Sequence, residues 1–165
     1  MPDDASATDR RSSTRAELEA TRATFRDLVQ PLSSEAWNRR SASSRRTVGQ
    51  VCMHAISYLD RMLPVGVANA RAHKNFPDMP GFVANPLNLL LSIMISRGST
   101  PQSALASYDR AHAAALVLLE GIKADEWPLS TRIPGGEFTV EGIFRHHTVH
   151  FREHEPEIRA TLAAA

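Results

Sequence analysis

The sequence predicts an all-α fold, an up-and-down four-helix bundle with one additional short helix and a long connection between its second and third helices. Two observations support this prediction. Four long segments have apolar residues at helical spacing, and the polar stretches between them contain few credible strands. With 165 residues, of which 42% are hydrophobic, the chain is large enough for one domain with its own core.

The first helix follows a polar N-terminal segment. Residues 1–12 are charged and show no periodicity, so we expect a disordered tail there and the bundle at residues 13–163. Thr14 and Glu17 have the spacing of a capping box, which predicts the start of a helix. Apolar residues then recur at helical spacing until Pro31 ends the helix.

The second helix is predicted to run from Thr47 to a stop at Pro64, after a short turn that places Trp37 under the bundle. Its broad apolar stripe includes Cys52, which we therefore interpret as a core residue. His54 lies about 130° from the centre of this stripe, so periodicity places it on a flank that faces solvent or the edge of a cleft.

The helical pattern disappears over residues 65–85, between the second and third long helices. We interpret this segment as a long connection over the end of the bundle. Asn85 and Pro86 form a suitable cap and first-turn pair for the additional short helix at residues 87–97. The third long helix is predicted to start at Pro101.

The last helix, predicted from about Thr139 to Ala163, contains four of the seven histidines within nine residues. These are His146, His147, His150 and His154. At about 100° per residue, His150 and His154 lie about 40° apart and one turn from each other. Side chains at that spacing can bind one metal ion. Pro156 removes a backbone donor and is expected to kink the helix beside them.

Charge and composition argue against several classes of function. The 19 basic and 18 acidic residues are well mixed and give a net charge of +1, which argues against binding to nucleic acid or to an anionic membrane surface. A single cysteine excludes an internal disulfide framework, and we recognise no secretion signal. The most apolar stretch, residues 87–95, is shorter than the roughly 20 residues that cross a bilayer, and we interpret it as a buried helix. We therefore expect a cytoplasmic protein that acts on a small molecule.

Two motifs resemble the DinB-like superfamily of metal-binding four-helix bundles. This group includes the bacillithiol and mycothiol S-transferases and the mycothiol-dependent maleylpyruvate isomerases. The first motif is Thr47-Val48-Gly49-Gln50-Val51-Cys52-Met53-His54 on the second helix. The second is Thr139-Val140, followed by His150, His154 and Ile158 on the last helix. The resemblance covers roughly residues 14–162.

The resemblance implies a metal site. In that superfamily one histidine from the second helix and two from the fourth, four residues apart, hold a divalent metal, which by position implies His54, His150 and His154. Three neutral imidazoles leave the divalent charge uncompensated and at least one position open, which is typical of a catalytic site. Two departures affect its surroundings: Arg46 stands where a tryptophan is common, and Pro156-Glu157 replaces a frequent Gly-Gln pair.

We expect a metal-dependent S-transferase or isomerase that uses the site to activate a low-molecular-weight thiol, as the thiol-using members of the superfamily do. Zinc is the favoured ion, and nickel or iron suits three imidazoles almost as well. Glu153 and His147 are the candidate catalytic residues, as a base and a proton shuttle respectively, with a buried structural role as the alternative for His147. Broad apolar stripes in a bundle of this size are consistent with a homodimer.

Two other functions are consistent with the same residues. A bundle can hold an ion without turnover, as a non-catalytic metal-binding or stress-associated protein. The segment from His150 to His154 also matches the inverted zincin spacing, in which Glu153 acts as general base, and this predicts a small metal-dependent hydrolase. A peptidase of that class needs a further acidic ligand downstream, and only eleven residues follow His154.

Overall fold

A computed structural model describes residues 4–77 and 80–164 and confirms a mainly helical four-helix bundle. In chain order its elements are α1 (Asp4–Val29), α2 (Ser34–Asn38), α3 (Val48–Ser57), a π-helical turn (Tyr58–Met62), α4 (Leu63–Arg71), α5 (Gly81–Ser96), α6 (Pro101–Glu120), β1 (Ser130–Ile133), β2 (Gly136–Thr139) and α7 (Val140–Ala163). Within those two ranges, no helix combines the length and the apolar composition needed to cross a bilayer.

The long helices are not arranged around the bundle in chain order. α1 packs against α6 and α7, and α3 packs against the same two helices. The first two long helices therefore lie on a diagonal, with α6 and α7 on either side. This arrangement makes α3 and α7 direct neighbours, although they are far apart in the chain.

α1 begins earlier than predicted. Its first residue is Asp4 rather than Thr14, so residues 4–12 of the expected disordered tail are helical; the rest of that tail lies outside the described residues. Ala7 is 5% exposed and belongs to the hydrophobic core. Arg11 donates at 2.7 Å to a backbone carbonyl just beyond the end of α6. These tertiary contacts stabilise turns for which the local sequence has no apolar periodicity.

The second long helix continues past Pro64, where we predicted its end. A π-helical turn at Tyr58–Met62 joins α3 to α4, and Pro64 lies in the first turn of α4. A proline donates no backbone hydrogen bond. The π-helical turn changes the spacing of the backbone hydrogen bonds at this point, and this change lets the helix continue. The predicted bounds of the connection, residues 65–85, are therefore wrong, because α4 takes up its first part and α5 starts at Gly81. Pro86 lies inside α5 rather than at its start.

Hydrogen-bonded caps confirm three predicted helix starts. The Thr47 hydroxyl accepts from the backbone N–H of Gln50, whose side chain accepts from the Thr47 N–H. Thr100 caps α6 and Thr139 caps α7. These caps fix where α3 and α7 begin, and therefore the position of each histidine along the axis of its helix.

A short β-hairpin, which the sequence analysis did not predict, precedes α7. β1 and β2 pair in antiparallel register, from Ser130 opposite Thr139 to Ile133 opposite Gly136. Gly135 and Gly136 have φ values of 109° and 145°, in the region that favours glycine. β1 packs against α4 and β2 packs against α7, so the hairpin covers one end of the bundle.

Aromatic residues from three helices form the centre of the core. Phe25 of α1 stacks on Tyr108 of α6 at a centroid distance of 4.3 Å and contacts Phe151 of α7 at 5.8 Å. Trp37 of α2 is buried, as predicted, and its Nε1 donates to the carbonyl of Ser99 at 3.0 Å. The aromatic contacts hold α1, α6 and α7 together, and the Trp37 hydrogen bond attaches α2 to the connection before α6.

We predict that Gly49→Ala destabilises the fold. A Cβ on Gly49 would lie 2.5 Å from Nε1 of the buried Trp37. The overlap should outweigh the helix propensity that alanine adds, and lower the free energy of unfolding by at least about 1 kcal/mol, measured by urea denaturation. Gly121→Ala is the control, since its Cβ would approach no atom closer than 3.5 Å. An unchanged unfolding midpoint for Gly49→Ala would contradict the packing described here.

Candidate metal centre

Helices α3 and α7 bring His54, His150 and His154 together. One nitrogen atom of each ring lies within 4.8 Å of the corresponding atoms of the other two. The Nε2 atoms of His54 and His150 are 3.1 Å apart, and the three rings meet edge to face with centroid distances of 4.6 to 5.2 Å. The structure thus brings together the three histidines that the resemblance implies.

The donor set fits a divalent cation. Nε2 of His154 is buried and has no hydrogen-bond partner among the described residues. The Nε2 atoms of His54 and His150 face each other at 3.1 Å, close to the roughly 3.3 Å between two nitrogens that each lie about 2.0 Å from a tetrahedral zinc ion. Buried polar atoms are normally paired, and a cation would bind all three nitrogen lone pairs.

Burial keeps these imidazoles neutral at neutral pH. Desolvation, with repulsion from His154 and Arg46, lowers the pKa of His54 to about 4. Desolvation and the neighbouring histidines lower the pKa of His150 to about 3. Burial and Arg46 also lower the pKa of His154, against the opposing effect of nearby glutamates. A neutral imidazole is the form that binds a metal ion.

Two glutamates of α7 lie beside the triad. Glu153 is 64% exposed, and its Oε2 is 3.9 Å from Nδ1 of His150, whereas Nε2 is the nitrogen of that ring that faces His54. That distance is too long for a hydrogen bond, and the position suits electrostatic orientation of the ring better than action as a base. Glu157 accepts a hydrogen bond from Ser43 at 3.2 Å. Burial raises the pKa of the Glu157 carboxyl, but serine hydroxyls and His154 outweigh it and lower that pKa overall.

An aromatic wall next to the triad was missed by the sequence analysis. The Tyr58 ring lies 5.7 Å from that of His150 and 5.1 Å from that of His146, and its hydroxyl donates to the carbonyl of Ile143 at 3.0 Å. His146 also contacts Phe138 of the hairpin at 4.6 Å. The π-helical turn begins at Tyr58, and such turns occur often at functional sites. The four-residue spacing from His54 was the only signal for this role in the sequence.

His147 lies in the core rather than in the triad. It is fully buried, and its Nε2 is 2.8 Å from the hydroxyl of Tyr108. Desolvation, followed by repulsion from His112 and His146, lowers its pKa to about 3. This environment favours the structural interpretation of His147 over a proton shuttle.

The remaining histidines and the cysteine lie outside the triad. His112 is buried, with Nε2 3.7 Å from a carboxylate oxygen of Glu19. His73 is exposed at the end of α4 and has a φ of 52°. Cys52 is buried, as predicted, and desolvation raises the pKa of its thiol to about 12, which makes it a poor ligand and nucleophile.

Comparisons with known proteins agree with this architecture. The sequence profile of the DinB superfamily matches residues 17–158. YfiT from Bacillus subtilis, described as a probable metal-dependent hydrolase with an unusual four-helix bundle topology, superposes with a TM-score of 0.60 and 16% identity, over 87% of this chain and 84% of that chain. A protein from Streptococcus pneumoniae superposes with a TM-score of 0.62 and 10% identity, over 89% and 91% of the two chains. Curated proteins gave no sequence match.

Acid should destabilise the metal-free protein through its buried and half-buried histidines. The pKa values of about 4 for His54 and about 3 for His147 and His150 lie below the value of about 6.5 expected in the unfolded chain. The unfolded chain therefore binds more protons as the pH falls from about 6.5 towards 4, and each histidine should remove up to about 1.4 kcal/mol of stability per pH unit. Urea denaturation near pH 7 and near pH 5 measures this loss.

Two variants separate the buried histidines from the exposed ones in that experiment. His147→Leu should reduce the loss of stability between the two pH values, because it removes one buried imidazole whose pKa is lowered in the folded protein. His73→Asn is the control, because it removes an exposed imidazole and asparagine tolerates the positive φ of this position. Equal stability of the unmodified protein at both pH values would contradict the assignment of buried neutral imidazoles.

Proposed function

Because the chain belongs to the DinB superfamily, we propose that it is a divalent-metal-dependent enzyme whose ligands are His54, His150 and His154. We further propose that it is an S-transferase or isomerase that uses a low-molecular-weight thiol such as mycothiol or bacillithiol, with zinc as the ion. One observation supports this most directly. Three imidazole nitrogens converge within 4.8 Å of one another, and in the described part of the chain no carboxylate belongs to this group.

The charge of the site favours an anionic ligand. A divalent cation bound there would act as a Lewis acid and lower the pKa of an adjacent thiol. Neutral imidazoles leave the charge of such an ion uncompensated. Arg46 adds a further positive charge, near enough to lower the pKa of both His54 and His154. A thiolate, or a substrate that has a carboxylate, should therefore be attracted to this site.

The proposed reaction assigns limited roles to the protein's own side chains. The thiol gives its proton to solvent water, and its sulfur forms a bond to an electrophilic carbon of the second substrate. In a transfer the leaving group departs with the electrons of the broken bond, and in an isomerisation the thiol is released again. Burial keeps the three imidazoles unprotonated, Arg46 positions an anionic group, and Tyr58 with His146 covers one side of the site.

A hydrolase is the second candidate, since YfiT, which shares the fold, is described as a probable metal-dependent hydrolase. That function needs a base that can reach a water molecule at the nitrogen cluster. Glu153 is beside Nδ1 of His150 rather than Nε2, which disfavours it as this base. A metal-binding protein without turnover is the third candidate, and it differs from the other two in consuming no substrate.

Metal content tests the ligand assignment. We expect the purified protein to hold about one equivalent of a divalent ion, and His54→Ala to weaken its affinity by at least about 100-fold, since even indirect support of a ligand is worth 10 to 100-fold. Elemental analysis after dialysis measures both and identifies the ion as zinc, nickel or iron. His73→Asn removes an exposed imidazole and should retain the metal. Full metal content in His54→Ala would rule out this site.

Thiol consumption tests the reaction. Metal-loaded protein is mixed with mycothiol, bacillithiol or cysteine and an alkylating electrophile, and the free thiol is followed with time. We expect the metal-loaded protein to consume one of these three thiols. We expect no such consumption with His54→Ala. Cleavage of ester or amide substrates without any thiol would contradict the transferase and favour the hydrolase.

Arg46 should affect substrate binding rather than metal binding. We expect Arg46→Gln to lower kcat/KM for an anionic substrate by about tenfold, mainly through KM, while the metal content stays the same. Arg45→Gln is the matched control, because Arg45 is adjacent and exposed but has no such effect on the triad. An equal loss in both variants would show that Arg46 has no specific role.

A further inference from the structure

α5 exposes an apolar surface that the bundle leaves uncovered. Leu87, Leu89, Leu90, Leu91, Ile93 and Met94 are between 39% and 62% exposed, and we call these six residues the α5 patch. Phe82 is 82% exposed and extends the patch towards the start of the helix. None of the 16 residues of α5 is charged.

The orientation of α5 is the reverse of that of an ordinary surface helix. At about 100° per residue, the patch and Phe82 occupy an arc of about 200° around the helix. Ser92, on the opposite side, is buried. A surface helix normally turns its apolar side to the core and its polar side to solvent. Here a serine faces inward and large apolar side chains face outward, which indicates that another surface covers α5.

The area of this surface is that of a protein interface. At typical side-chain areas, the exposed parts of the patch and Phe82 amount to about 700 Å². The largest apolar patch of an ordinary monomer is about 300 to 600 Å², and a specific interface buries about 800 Å² per partner. The α5 surface is therefore larger than a monomer usually exposes and close to what a stable dimer needs.

We propose that the α5 patch is the contact surface of a homodimer, in which α5 of one protomer packs against α5 of its partner across a twofold axis. A twofold interface places the same surface on both sides, so an uncharged apolar helix is complementary to itself. A membrane surface fits less well, because helices that lie on membranes have lysine and arginine along a polar face and α5 has none. This inference does not depend on the proposed reaction.

Sedimentation velocity of the full chain between about 1 and 100 μM tests the proposal. We expect a dimer for the unmodified protein. Leu90→Glu and Met94→Glu should each weaken association by at least about 100-fold, because each places a charge in the interface twice. Val117→Glu is the control: Val117 of α6 is 75% exposed but lies outside the patch, so the dimer should persist. A monomer at 100 μM, or glutamate variants that dimerise as well as the unmodified protein, would overturn the proposal.

Two further measurements keep the result interpretable. Circular dichroism and thermal melting verify that the variants are folded, and Leu90→Ala with Met94→Ala should weaken the dimer by about tenfold without introducing a charge. Co-sedimentation with vesicles of phosphatidylglycerol and phosphatidylcholine tests the membrane. Binding of a monomeric protein to these vesicles, lost in Leu90→Glu, would replace the dimer by a membrane contact.

Discussion

The packing of α3 against α7 is the constraint on which the candidate site depends. His54 and His150 are 96 residues apart in the chain, yet their Nε2 atoms are 3.1 Å apart. This contact exists because α3 and α7 are neighbours in the bundle and because hydrogen-bonded threonine caps set where each helix starts. A shift of either helix by one turn, about 5.4 Å, would separate the nitrogens beyond the reach of one ion.

Burial has two effects at this site. It lowers the pKa of each histidine of the triad, so that the three imidazoles are neutral at neutral pH. It also leaves nitrogen atoms in a place where water reaches them poorly, which is unfavourable unless a partner binds them. The same burial therefore keeps the imidazoles in the form that binds a metal ion, and it makes the protein less stable when no cation binds them. One ring nitrogen of the buried His147 does have a partner, because its Nε2 forms a hydrogen bond with the Tyr108 hydroxyl.

α3 connects the two surfaces for which we infer a function. One side of α3 packs against α7 and contributes His54 to the triad, and another side packs against α5, which presents the α5 patch. The π-helical turn follows α3 directly and places Tyr58 against the histidine rings. Association through α5 would therefore stabilise α3, the helix that supplies His54. It would not place any residue of the α5 patch in the site.

Local features of this protein were determined by the sequence alone. The Thr47 and Thr139 caps, the close pair of His150 and His154, and the burial of Cys52 depend on interactions or periodicities within a few residues. The resemblance of two motifs to a known superfamily added His54. The sequence misplaced the start of α1 and the end of the second helix, because contacts with distant residues extend both beyond their local signals.

Only the tertiary structure decided which helices are neighbours, and with this the convergence of His54 on His150. Periodicity indicates which side of a helix is apolar, but it does not indicate which surface covers that side. For the same reason the outward orientation of Leu90 and Met94 could not be read from a stretch that looks like buried helix. The positions of Arg46 and Tyr58 at the triad also depend on packing between elements far apart in the chain, which no local pattern records.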